Sequence, residues 1–363
     1  MYRGGNVRFI HCSDIHLDSA METNLSPEKA RERGREMRRT FERIADFAKE
    51  NSVTAVIIAG DMFDTERTTA RTADFVLSII SKTPEVDFLY LKGNHDDKNT
   101  IFNTQKLPQN LKFFSDDWTS YRYQNVLVSG IELTDENKDT LYDDINLSKD
   151  DVNIVTMHGQ TSTSTGLEEV CLNKLKNKNI KYLALGHIHS YRKEKLDLEG
   201  DWCYSGCPEG RGFDECGEKG FVLLEVDGDR LETQFIPFSQ RMLCEVMVDI
   251  TELVSVNDII VAAQNASQGI DSKNLVKYVL CGNCTLETQK DIQYITEALQ
   301  NDFYFVKVKD ESKLKLDEAD YSMDVSLKGE FIRKVMASEL DEEEKAKIIL
   351  SGLQALMGEE ITL

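Results

Sequence analysis

The sequence predicts an α/β protein: a four-layer α/β/β/α sandwich of two sheets flanked by helices, followed by a smaller α+β domain. Three observations lead there. Short apolar runs alternate with amphipathic stretches of helical period through the first two hundred residues. After His189 strands continue without long helices between them, which calls for a second sheet. Beyond Pro237-Phe238 a smaller set of strands and helices begins, so the domains are read as 1–238 and 239–363.

Val7 to Cys12 is a short apolar run that ends at Ser13-Asp14, as a buried strand leading into a loop would. Pro27 to Glu50 reads as a helix, with Ser26 as its cap, Pro27 at its first position and Met37, Phe41, Ile44, Phe47 and Ala48 on one face. Val53 to Ala59 is a second strand and Thr69 to Ser81 a second helix, with Phe75, Val76, Ile79 and Ile80 inward. Val86 to Leu91, Val152 to Met157 and Tyr182 to Leu185 are further buried strands. Tyr191 to Leu196, Phe221 to Val226 and Leu231 to Ile236 are expected to form the second sheet. In the smaller domain, strands Met242 to Ile250, Lys277 to Leu280 and Phe303 to Val308 are separated by helices near Val256 to Ala266 and Gln289 to Leu299. Helices Glu330 to Ala337 and Glu342 to Met357 close it; Ile348, Ile349, Leu353 and Leu356 form an apolar face whose expected use is packing on its own domain.

Composition narrows the function classes. At 363 residues the chain can bury two sizeable cores. No apolar run approaches the ~20 residues of a membrane span, and Met1 to Asn6 has no signal-peptide character. Eight cysteines scattered among apolar positions suit reduced thiols and a cytoplasmic protein. Cys281-x-x-Cys284 lacks a second pair at zinc-finger spacing, so it reads as ordinary strand-end cysteine, as do Cys203 and Cys207. The net charge of −21 gives no mean field toward nucleic acid, but the excess is uneven. From Arg241 onward 23 acidic residues face 13 basic ones.

The chemistry lies in five motifs that hold five of the six histidines: Asp14-x-His16, Gly60-Asp61-x-x-Asp64, Gly93-Asn94-His95-Asp96, His158-Gly159 and Gly186-His187-x-His189. Each follows the carboxyl end of an expected strand, the edge where open α/β sheets place ligands. Two divalent ions about 3.5–4 Å apart need a bridging carboxylate plus separate ligands for each ion. Asp61 is placed to bridge, Asp14 and His16 to share one ion, Asn94 to offer a carbonyl oxygen, and His158, His187 and His189 to offer imidazoles. Oxygen and imidazole donors without thiolate suit manganese, iron or zinc. A water between such ions becomes hydroxide near neutral pH and attacks phosphorus in line. His95 would protonate the leaving oxygen or steady the transition state, with Asp64 holding His95 or a ligand histidine in its tautomer. His11, inside the first strand, reads as a satisfied buried histidine.

These motifs resemble those of the calcineurin-like metallophosphoesterases over Val7 to roughly Pro237. Ile10 to Leu17 (IHCSDIHL), Ala59 to Asp64 (AGDMFD), Tyr204 to Gly210 (YSGCPEG) and Gly217 to Gly220 (GEKG) are similar to the SbcD-like DNA-repair exonucleases. The resemblance implies Asp14, His16, Asp61 and His189 on one ion, Asp61, Asn94, His158 and His187 on the other, and His95 as the catalytic histidine. It further implies manganese, DNA ends as substrate, an SMC-like ATPase partner and a small capping domain in the place of Arg241 to Ala337. A homodimer is the expected assembly. The chain is short for that family, with little after the cap region to serve as ATPase-docking helices.

Candidate phosphate contacts are Arg31, Arg35, Arg38 and Arg39 on the first helix, and Arg211 in the Pro208 to Gly212 turn. An equally weighted reading of that helix is a solvated face laced with ion pairs. The hydroxyl-rich loop Gln160 to Gly166, Tyr191 and Arg192 are further candidates. The leading function is a two-metal phosphodiesterase acting on DNA as exonuclease or endonuclease. A phosphomonoesterase or small-nucleotide phosphodiesterase on the same fold is the alternative, and a non-catalytic DNA-end tethering subunit the reading from another class.

Overall fold

A computed structural model of the chain describes residues 6–19, 21, 25–64, 69–96, 107–315, 321 and 323–357. Met1 to Gly5, part of the stretch tested for a signal peptide, lie outside them. The chain divides into two compact units, Met1–Leu243 and Cys244–Leu363. The first ends beyond Phe238 because the following residues are stitched to it: the Gln240 N–H donates to Glu209, Arg241 pairs with Glu36, and the Gly217 N–H donates to the Leu243 carbonyl.

Two six-stranded sheets make up the first unit. In one, Val7–Cys12, Ala55–Ala59, Asp87–Leu91 and Leu111–Phe113 run parallel in that order. Gly220–Asp227 pairs antiparallel with the open edge of Val7–Cys12, and Arg230–Pro237 follows it as a hairpin. The second sheet runs in the order Arg192–Lys195, Asp201–Tyr204, Ile180–Gly186, Val152–His158, Val126–Gly130 and Thr119–Tyr123. Sheet membership therefore differs from expectation. The 220s and 230s strands join the first sheet, because Phe221, Val222 and Leu224 complete the apolar surface around Val7–Cys12 on both faces. The second sheet is instead built around the two parallel strands that end at His158 and Gly186.

The layers follow from which residues face which way. Phe9, Ala55, Ile57 and Leu89 of one sheet meet Val128, Ile154, Tyr182 and Ala184 of the other in a core between them. Ile10, Val56, Ile58 and Phe88 point outward under the helix Pro27–Glu50, whose Met37, Phe41, Ile44 and Ala48 cover them, and under Ala70–Lys82. Strands buried on both faces must be apolar throughout, so they read as continuous runs. The Ser26 hydroxyl accepts from the Lys29 N–H at the start of the first helix, with Pro27 at its first position, and Thr69 caps the second in the same way. Phe75 is only half-buried; Ala73, Val76, Leu77, Ile79 and Ile80 carry the packing. The outer face of the second sheet is covered by four-residue helices, Leu141–Asp144 and Leu172–Leu175, so the fourth layer is thin.

The second unit holds a three-stranded sheet in the order Leu243–Asp249, Leu275–Cys281, Phe305–Asp310, packed with helices Val256–Ala266 and Ile292–Leu299 around Val248, Ile259, Tyr278 and Ile295. Leu327–Met336 and Glu342–Met357 pack on each other through Ile332, Ile349 and Leu353. The Leu356 side chain lies outside those described. All eight cysteines are free thiols. Among the described residues no helix is long and apolar enough to cross a membrane.

Candidate metal centre

The motifs meet because two strand-ending turns are zipped together. The Asp14 N–H donates to the Gly60 carbonyl at 3.0 Å, the His16 N–H to the Asp61 carbonyl at 3.0 Å and the Leu17 N–H to the Met62 carbonyl at 2.9 Å. Asp14, His16, Asp61 and His187 all adopt left-handed backbone, at φ 53°, 47°, 53° and 103°. Such conformations cost non-glycine residues on the order of 1–3 kcal/mol each and persist only where neighbours over-determine them. Here the interlocked turns do so, and strain collects on the residues that carry the chemistry.

The motif glycines are there for close approach. A Cβ on Gly60 would lie 2.1 Å from His158 Nδ1, one on Gly93 2.1 Å from Asp61 Oδ1, and one on Gly186 1.9 Å from the Ala59 carbonyl oxygen. Backbone at these positions packs directly against site side chains, and a methyl group would displace them.

Six of the seven expected ligands gather through side-chain atoms. Asp14, His16 and His189 present ligand atoms within 4.8 Å of one another, and so do Asp14, Asp61 and His158. His16 Nε2 and His189 Nε2 are 3.3 Å apart; Asp61 Oδ2 is 3.7 Å from His16 Nε2 and 3.4 Å from His158 Nε2. Asn94 Oδ1 is 2.9 Å from His158 Nε2. The His158 Nδ1 faces the Ala59 carbonyl at 2.9 Å, which leaves its Nε2 turned inward. The His187 ring lies 5.5 Å from the His158 ring, outside both tight groups, while its N–H donates to Asp14 Oδ1 at 2.9 Å. His95 is exposed; its N–H donates to Asp61 Oδ1 at 2.9 Å and its ring lies 5.2 Å from that of His16.

The electrostatics are those of a site built for cations. Asp14 and Asp61 are each 1% exposed. Burial pushes the Asp14 carboxyl up, against the pull of His158 and His189. Burial also raises Asp61, but the hydrogen bond and charge of His158, with His16, bring it below the usual carboxylate range. His158 moves the other way: burial opposes its protonation, and Asp61 overrides that. Burial and the nearby Arg211 guanidinium push His16 down to about 3, so it is a neutral imidazole, its Nδ1 buried and without a partner among the described residues. Buried carboxylates beside imidazoles, all aimed at one small region, fit a pair of divalent ions better than they satisfy one another. The donors are oxygen and nitrogen, a set for manganese, iron or zinc.

Other sequence candidates fall elsewhere. The second nitrogens of His158 and His189 are held by Ala59 and by Glu215 (2.6 Å), not by Asp64, whose N–H donates to the Leu17 carbonyl. Arg38 is tied to Asp18 and Arg211 to Glu215, whereas Arg31, Arg35 and Arg39 are exposed. The expected loop Gln160 to Gly166 begins as a strand, Gln160–Ser162, paired with Glu169–Cys171, and its hydroxyls are engaged locally: Ser162 and Ser164 donate to Glu169, and Thr165 to Asp139. Tyr191 stacks on Phe235, and Arg192 pairs with Glu194. His11 is fully buried as expected, its Nδ1 2.9 Å from the Tyr182 hydroxyl, but it is only half satisfied, for its Nε2 has no hydrogen-bond partner among the described residues. Sequence reasoning missed Asp96, which takes the Gly93 and Phe63 N–H groups (both 2.9 Å) and so ties two motifs together. Its place at the end of Gly-Asn-His-Asp was the available signal. Glu215 was missed too, although it lies between two segments that carried the resemblance.

A sandwich with carboxylate and imidazole groups converging at its strand ends defines the class of metal-dependent phosphoesterases. The chain belongs to the calcineurin-like phosphoesterase family, whose sequence profile matches residues 7–191 and which works with a dinuclear divalent site. Among relatives, the DNA double-strand break repair protein Mre11 of Methanosarcina acetivorans is 26% identical over 242 residues, 62% of this chain and 38% of its own length. The uncharacterized metallophosphoesterase YhaO of Bacillus subtilis is 26% identical over 68% of this chain and 64% of its own length. The DNA double-strand break repair protein Mre11 of Saccharolobus solfataricus is 23% identical over 98% of this chain and 96% of its own length. The chain thus spans less than two thirds of the first two. A solved dimetal phosphatase from Danio rerio superposes on 64% of this chain at 12% identity and a TM-score of 0.41.

Proposed function

We propose that this protein is a two-metal phosphodiester hydrolase acting on DNA in repair. Asp14, His16, Asp61 and His189 would hold one ion, and Asp61, Asn94, His158 and His187 the other. The observation that carries this reading is the convergence of His16 Nε2, His189 Nε2, His158 Nε2 and the Asp14 and Asp61 carboxylates from four separate strand ends. Two divalent ions, when bound, supply charge for the phosphoryl oxygens and a nucleophile drawn from water. His95, its main chain pinned by Asp61, delivers a proton to the leaving oxygen or donates to the transition state. Asp64 remains the proposed partner of His95.

Manganese is the proposed ion, with iron or zinc accommodated by the same donors. DNA is supported by the relatives' names and by the exposed guanidiniums of Arg31, Arg35 and Arg39 on one helix face. The second unit as a substrate cap, an SMC-like ATPase partner, a homodimer and a cytoplasmic setting belong to the same proposal. The net charge of −21 favours a second reading, a phosphomonoesterase or small-nucleotide phosphodiesterase. The test is manganese-dependent digestion of end-labelled duplex and single-stranded DNA, alongside chromogenic phosphodiester and phosphomonoester. Cleavage of DNA and the diester supports the proposal. Rapid monoester turnover without nuclease activity supports the second reading, and binding of DNA ends with no hydrolysis supports a tethering subunit.

A further inference from the structure

Residues 204–220 carry a sequence signature that supplies no metal ligand, yet four of its residues, Cys207, Arg211, Glu215 and Lys219, meet on one ligand. Glu215 Oε1 lies 2.6 Å from His189 Nδ1. The Lys219 Nζ donates to the His189 carbonyl at 2.7 Å, and the Cys207 N–H donates to the same oxygen at 3.3 Å. Glu215 and Lys219 are 5% and 2% exposed, so both polar groups are committed to these contacts in a dry setting.

Glu215 is itself held by Arg211. The Arg211 main-chain N–H donates to Oε2 at 2.7 Å, and its Nε and Nη2 donate to Oε1 at 3.1 and 2.8 Å. The turn that carries Arg211 is anchored in its turn by buried Glu209, which accepts from the Thr40 hydroxyl at 2.7 Å and from Arg33 Nη2 at 3.3 Å. A chain of contacts therefore runs from the first helix through Glu209, Arg211 and Glu215 to one imidazole. His16 has no such brace, for its Nδ1 is without a partner among the described residues.

We infer that residues 204–220 are a positioning cradle for His189: Glu215 fixes its tautomer, Arg211 is the counter-ion of Glu215, and Lys219 clamps its main chain. A neutral imidazole carries one proton. Arg211 Nη2 also lies 3.0 Å from Nδ1, but the Glu215 carboxylate is nearer at 2.6 Å and takes the Nδ1 proton, which leaves the Nε2 lone pair facing His16 Nε2 at 3.3 Å and Asp14 Oδ1 at 3.9 Å, where an ion would sit. Arg211 is thereby engaged with a protein carboxylate and not with substrate phosphate. Because the cradle's contacts converge on His189, which the ligand assignment places on one ion, it acts on one ion of the pair. The inference rests on the proposed ligand assignment.

The test titrates metal-free protein with manganese chloride, by calorimetry and by the electron paramagnetic resonance signal of free Mn²⁺. Wild type is expected to bind two equivalents. In Glu215→Gln one equivalent weakens about 10–100-fold while the other stays within about twofold, and the metal-free protein, lowered in melting temperature by loss of the Arg211–Glu215 ion pair, still unfolds in one cooperative transition. Arg211→Met, which keeps Glu215, weakens the same equivalent about threefold to tenfold. Wild-type affinity for both equivalents in both variants overturns the inference, as does equal weakening of both equivalents. Fewer than two equivalents in the wild type overturns the ligand assignment beneath it.

Discussion

Replacing Gly93 with alanine would put a methyl carbon 2.1 Å from Asp61 Oδ1 and 2.6 Å from the Asp61 main-chain nitrogen. Ordinary contact begins near 3.4 Å, so the carboxylate must retreat by more than about 1 Å. That movement breaks the 2.9 Å bond from the His95 N–H to Asp61 Oδ1 and pulls away the one carboxylate proposed to touch both ions. Overpacking of this kind costs about 1–3 kcal/mol of stability. Misplacing a reacting group by about 1 Å costs about a hundredfold in turnover. Gly34 gives the control: it lies within the helix Pro27–Glu50, and an added Cβ there meets no atom within 4 Å. Gly34→Ala should gain about 0.5–1 kcal/mol and leave catalysis as it was. Urea unfolding of metal-free protein, manganese calorimetry and hydrolysis of a chromogenic phosphodiester read the three quantities. Manganese affinity and turnover at wild-type level in Gly93→Ala would refute the close-packing argument and the bridging role of Asp61.

Three further outcomes are expected. His95→Gln should keep both manganese equivalents and lose about 10²- to 10⁴-fold in DNA cleavage; undiminished cleavage at full occupancy removes His95 from the chemistry. Burial depresses His11 to about 3 against the Leu185 carbonyl's opposing pull, so below the ordinary 6.5 the unfolded chain takes up a proton that the folded one refuses. Stability is then lost as pH falls, by about 1.4 kcal/mol from this residue between pH 7.5 and about 5.5. Urea midpoints of His11→Gln should show a shallower pH dependence than wild type by that amount, and parallel curves would contradict it. Replacing Arg31, Arg35 and Arg39 together by alanine should reduce the slope of log affinity for duplex DNA against log salt, by up to about 0.9 for each phosphate the helix no longer neutralises. An unchanged slope would return that helix face to plain solvation.

What was readable in the sequence was local. The helix Pro27–Glu50 showed because Ser26, Pro27 and a 3.6-residue apolar stripe all speak in one short window. The metal motifs showed because left-handed turns and close backbone approach demand glycine and aspartate at fixed places beside the ligands. Long-range partnership did not show. Nothing in Phe221 to Val226 says that it will pair with Val7–Cys12 and not with the Tyr191 strand, since either edge would bury the same apolar side chains. Leu111–Phe113 and Thr119–Tyr123 passed unseen, the first too short and the second lacking a continuous apolar run. The arginine-rich helix was ambiguous for a related reason: Arg33 is fully buried on Glu36 and Glu209, while Arg35 beside it is exposed. Only the fold distinguishes them.

The central claim is that seven side chains from separate strand ends grip two ions at once. Anomalous scattering from manganese-soaked crystals tests it most directly. Two peaks about 3.5–4 Å apart, with Asp61 between them, are predicted. A single peak, or manganese bound away from Asp14, Asp61 and His158, would contradict it.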